Sequence, residues 1–213
     1  MKELNFDPVV SAVIRVVLYC CLAAGTALVL FNATNLVDQP VTINESSIIE
    51  RFQVLYLLVC VILFFLSAKM KSSMMSLSIL LAGMALIALT REFDYFFDNY
   101  VFDGAWQVVS FLVAVATGLF VIKFRQGLKS SIQEFTTKAS FGYMTSAFVV
   151  LFVFSRLIGK QALWRAILGE NYLRVVKNFV EESTELFAYT LLLIGAIEFF
   201  REVRKSEKGN GPN

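Results

Sequence analysis

The sequence predicts an all-α membrane protein, a six-transmembrane-helix bundle with a short interfacial amphipathic helix between helices 5 and 6. Three observations predict it. The chain of 213 residues is 57% hydrophobic and only 17% charged, where a soluble domain is about a quarter charged. The apolar residues collect in runs long enough to cross hydrocarbon, which takes about 17–25 helical residues each. Proline occurs only three times, so the helices are expected to be mostly unkinked.

The first span, about 9–31, is too long for a signal-peptide core and has no convincing small-residue cleavage site, so a retained helix is expected. Arg15 interrupts it and reads as snorkelling to the near interface rather than as a buried group. Residues 32–47, with Asp38, Pro40 and Glu45, read as a loop. Asn32-Ala-Thr and Asn44-Glu-Ser match the glycosylation sequon, which bears only on a eukaryotic secretory context.

The second span, about 48–68, opens with Glu50, Arg51 and Gln53, and Lys69 and Lys71 turn it into the third, about 73–90. The third ends in Arg91-Glu-Phe-Asp-Tyr-Phe-Phe-Asp. If that stretch stays helical, Arg91, Asp94 and Asp98 share one face. The aromatic residues Phe93, Tyr95, Phe96, Phe97, Tyr100, Phe102 and Trp106 read as an interfacial belt rather than a ligand box. In the fourth span, about 105–122, Ala114 and Gly118 form a small-xxx-small pair that would admit a neighbouring helix.

A basic connector, 123–138, leads to the fifth span, about 139–158, with Arg156 near its far end. Residues 160–169 alternate Leu163, Trp164, Ile167 and Leu168 with Gln161 and Arg165, the pattern of a helix lying on the membrane. The sixth span, about 179–200, completes a single transmembrane domain over 1–200, and 201–213 reads as a disordered cytoplasmic tail. No internal repeat is visible, so an inverted-repeat transporter is not supported.

Six spans place both termini on one side. That side then holds twelve Lys/Arg against six Asp/Glu, and the other seven against eleven. The excess of cations marks the termini as cytoplasmic, in a cytoplasmic (inner) membrane. The segment 155–178 is basic yet falls outside, the one exception.

There is no histidine, which removes the commonest general base and metal ligand together. Cys20, Cys21 and Cys60 all lie inside apolar runs and read as small hydrophobes. What remains is charge at helix ends. Glu181, Glu182 and Glu185 stand in the opening turns of the sixth span, with Arg174 on the stripe of Glu181 and Glu185. Carboxylates are costly against lipid, so this stripe should face protein or water. The candidate binding residues are Glu181, Glu182, Glu185, Arg91, Glu92, Asp94, Asp98 and Arg156, centred on Glu185.

Three readings stay open. The plainest is structural, with Arg91 and Arg156 neutralising Glu185 and pinning three helices, as in a subunit of a membrane complex. The second, which the charge pattern leads us to expect, is an outer cavity that binds or passes a polar ligand or ion, or docks a membrane partner. Carboxylates without His or Cys suit hard divalent cations, whereas Arg91, Arg156, Lys160 and Arg165 suit an anionic headgroup. The third is a membrane-embedded hydrolase using paired carboxylates, but no nucleophile motif, phosphate loop or metal-ligand spacing accompanies them. No cofactor, no metal site and no catalytic residue is assigned. The expected partners are the bilayer and a membrane protein or second copy, with no patch fit for nucleic acid.

Overall fold

The computed structural model describes residues 7–35 and 48–209. Of the loop predicted over 32–47, residues 32–35 instead continue α1, Asn32 with them, while 36–47, with the Asn44 sequon, and tail residues 210–213 lie outside the described residues. Every regular element described is helical. The helices are α1 (Pro8–Asn35), α2 (Ile48–Met70), α3 (Met75–Arg91, after a tight Ser72–Met74 turn), α4 (Asp94–Tyr100), α5 (Ala105–Lys123) and α6 (Leu128–Thr136). Next comes α7 (Ala139–Val149), which runs through a π turn at Val150–Phe154 into α8 (Ser155–Ile158). The series closes with α9 (Gln161–Leu168) and α10 (Arg174–Gly209).

Among the described residues, five helices are long and apolar enough to cross a membrane: α1, α2, α3 with its leading turn, α5, and the continuous α7–α8. The sixth expected span falls inside α10, which is not one of those five. Instead α10 is the axis of the bundle. Leu186, Ala188, Tyr189, Thr190, Leu192, Leu193, Ile194, Ala196 and Phe199 are all buried. A helix apolar on all sides belongs in the middle of its neighbours.

α2 and α7 flank this axis. The rings of Phe64 on α2 and Phe135 on α6 meet Phe199 edge-on at 5.8 and 5.6 Å. Gly195 lets α7 come close, since a Cβ there would sit 2.8 Å from Met144 Cγ. α3 packs on α2, and α5 on α3. The close approach of α3 and α5 rests on Gly83, where a Cβ would lie 2.3 Å from Thr117 Oγ1. The pair predicted for that role does not serve it: Ala114 is exposed, and nothing lies within 4 Å of a Cβ built on Gly118.

α1 and α5 are the periphery. α5 buries only Ala105, and Thr26 is the one buried side chain among those described in α1. α1 is held by polar contacts: Thr26 Oγ1 shares hydrogen bonds with Tyr56 (3.0 Å) and Thr190 (3.3 Å). Near its start, Arg15 Nε meets Glu198 Oε1 at 3.0 Å. Arg15 is therefore not a free cation, because a buried carboxylate on α10 is within its reach.

The chain also differs from expectation at three connections. The connector 123–138 contains α6, whose Ser131 and Phe135 are buried. α10 does not stop at Phe200 but continues through Gly209, with Val203 only 3% exposed and Lys71 donating to Ser206 Oγ at 2.8 Å. The fifth span carries a π turn without any proline; such a turn rotates the side chains that follow it. Those are Ser155 and Arg156.

Candidate functional site

Helices α3, α8 and α10 bring their charged ends together. Glu185, the first buried residue of α10, is 7% exposed. Its Oε2 accepts from Arg91 Nη2 at 2.7 Å, and its Oε1 from Arg156 Nη2 at 3.2 Å and Ser155 Oγ at 3.0 Å. Both oxygens are thus satisfied by groups on two other helices. Burying a carboxylate is tolerable only on such terms.

The surrounding charges follow from the same geometry. Arg91 lies 3.5 Å from Glu92 Oε1, which also accepts from the Tyr189 hydroxyl at 2.7 Å. Burial raises the Glu92 carboxyl above its ordinary range, while Arg91 and the Tyr189 hydrogen bond pull it back. Lys177 Nζ holds Glu181 at 2.5 Å, one helical turn away, and Arg156 reaches Glu181 at 3.9 Å. Glu181 packs against Gly159, where a Cβ would lie 2.6 Å from its carboxyl carbon. Arg174, expected on this stripe, is exposed.

A cavity of about 200 Å3 opens beside Glu185, between α2, α3, α4 and α10. Glu50, Gln53, Arg91, Glu92, Asp94, Tyr95, Glu182 and Glu185 line it. Five carboxyl groups thus face one guanidinium. Glu182 Oε2 is buried and has no hydrogen-bond partner, although the backbone carbonyl of the same residue accepts from Gln53 Nε2 at 3.2 Å.

Of the residues singled out from sequence, Arg91, Glu92, Arg156, Glu181, Glu182 and Glu185 come together, and Asp94 lines the same cavity. Asp98 does not join them. The helix breaks after Arg91, where Phe93 leaves helical geometry at φ −103° and ψ 14°. Asp98 instead accepts from the Gly104 backbone N–H at 2.9 Å and ties α4 to α5. The one-face argument for Arg91, Asp94 and Asp98 fails with that break.

Ser155, Tyr189 and Gln53 line or hold the site but carry no signal in the sequence that separates them from other polar residues in apolar helices. Glu50 is visible as an acid at the start of a span. Lys177 could have been found as the i,i+4 partner of Glu181. Among the described residues, no three or more His, Cys, Asp or Glu side chains gather as metal ligands would. The chain matches no family model, no curated protein and no solved structure.

Proposed function

We propose that the chain is a six-span membrane protein, with both termini cytoplasmic in an inner membrane, that binds a small cation carrying N–H donors in the cavity beside Glu182. The six-span reading is supported by the apolar run of α10 from Leu186 to Ile197 and by the uneven sharing of Lys and Arg between the two sides. α9 then lies along the outer interface, its Leu163 and Ile167 exposed.

One observation carries the binding reading: the partnerless, buried Glu182 Oε2 in a hollow where carboxyls outnumber the single guanidinium. An unsatisfied buried oxygen costs about 1–3 kcal/mol, which a bound donor would recover. Sites for drug-sized ligands hold about 300–1,000 Å3, so this smaller space fits an ammonium or guanidinium group. In this reading Arg91 and Arg156 hold Glu185 in the wall, while Glu182, Glu50 and Asp94 meet the ligand.

A second reading has its own observation. Glu185 is so fully satisfied by Arg91, Arg156 and Ser155 that it needs no ligand, so part of the cluster is a structural pin. Thermal denaturation of the purified protein with methylammonium, guanidinium, Na⁺ or Ca²⁺ separates the two. Binding predicts a saturable rise in Tm with the nitrogen cations, since a ligand at 100 times its Kd adds about 2.7 kcal/mol. That rise should vanish in Glu182→Gln. No rise with any of the four cations would leave the structural pin alone.

A further inference from the structure

The far end of α10 holds a second hollow with the opposite balance of charge. It lies about 20 Å along the axis from Glu185 at the usual helical rise, and has a volume of about 420 Å3. It opens between α1, the first residue of α7 and the last turns of α10, lined by Arg15, Glu198, Arg201, Glu202, Arg204 and Lys205.

Four cations face two carboxylates there, and the carboxylates are occupied. Glu198, only 6% exposed, takes Arg15 at 3.0 Å and Arg201 at 2.8 Å, and accepts from the Tyr19 hydroxyl. Glu202 accepts from the Ser140 hydroxyl and from its backbone N–H at 3.4 Å. Arg204 and Lys205 are exposed and make no ion pair or hydrogen bond among the described residues. The hollow thus keeps two cations in excess, one of them a guanidinium, whose planar fork matches the oxygens of a phosphate.

Its surroundings say what bears the phosphate. Beside Arg15 on α1, Ile14 and Leu18 are 42% and 59% exposed, and Phe141 near the start of α7 is 36% exposed. α1 and α7 meet at Tyr19 and Tyr143, whose rings pack edge-on at 5.9 Å. A basic hollow bordered by exposed apolar helix surface is where a headgroup can sit with its acyl chains lying alongside. We propose that this hollow binds a phosphate group, borne by an anionic phospholipid at the end of the bundle where Lys and Arg predominate. A free phosphate compound would present the same oxygens without the chains.

The test uses the full chain purified in an uncharged detergent. Its Tm is followed on adding phosphatidylglycerol, phosphatidylcholine, or inorganic phosphate against chloride at equal ionic strength. Phosphatidylglycerol should raise Tm saturably and phosphatidylcholine should not. The Arg204→Gln/Lys205→Gln variant, changed only at exposed positions, should need at least tenfold more phosphatidylglycerol for the same rise. Arg125→Gln, which removes an exposed cation from the turn before α6, should respond like the unmodified chain. A rise with inorganic phosphate that the double variant loses would keep the site and assign it to a free anion. Equal rises with both lipids, or a double variant that responds like the unmodified chain, would overturn the proposal.

Discussion

The two ends of α10 each bury a glutamate between two arginines, yet they are built to different ends. Glu185 is 7% exposed and takes Arg91 and Arg156; Glu198 is 6% exposed and takes Arg15 and Arg201. Around Glu185 further acids accumulate, and one carboxylate oxygen, on Glu182, is left without a partner. Around Glu198 further bases accumulate, and Arg204 and Lys205 are left over. A saturated ion triad ties helices together, and the surplus beside it gives each end its sign. In the two binding proposals, structure and recognition then reside in neighbouring residues, not in the same one.

The most damaging way to break this comparison is Glu185→Ala. It strips two guanidinium groups and Ser155 of their common acceptor, and should cost about 3 kcal/mol, since breaking a buried pair costs about 3–5 kcal/mol and Arg156 is partly solvated. The fraction folded after graded thermal or denaturant stress measures it. Glu198→Gln comes next, at about 2 kcal/mol, because glutamine keeps an acceptor oxygen for Arg15 or Arg201 and loses only the charge. A larger loss at Glu198 than at Glu185 would reverse the ranking of the two triads.

Smaller effects sharpen the picture. Asp98→Ala removes the acceptor of the Gly104 N–H and should cost about 1 kcal/mol; because Asp98 stands outside the cluster, it should leave any cation response intact. Glu182→Gln should leave Tm unchanged or slightly raised, since it relieves crowding among acids, while abolishing the cation-dependent shift. A fall in Tm as large as that of Glu185→Ala would show Glu182 to be part of the pin.

Element existence and much of the site's membership were legible in the sequence, for reasons seen in particular residues. Apolar runs need no partner to be recognised, which is why 48–68, 73–90, 105–122 and 139–158 closely match helices of the structure. Glu181, Glu182 and Glu185 stand out because acids are rare in such runs. Ser155 and Tyr189 do not stand out, because a hydroxyl in an apolar helix is common and only its neighbour makes it part of a site. Asp98 was placed wrongly because a one-face argument assumes an unbroken helix, and the break at Phe93 has no strong local signal. The ion pair of Arg15 is not legible either, because its partner, Glu198, is 183 residues away.

From composition and run length alone, then, the chain is a helical membrane protein with charge confined to helix ends. That follows because the cost of exposing polar groups to hydrocarbon acts residue by residue and leaves its mark locally. Which helix forms the axis, which arginine meets which glutamate, and where a carboxylate goes unanswered were decided only by tertiary packing. Those depend on rotations of whole helices, the π turn before Ser155 and the close approach at Gly83 among them, and a rotation is set by contacts between distant parts of the chain.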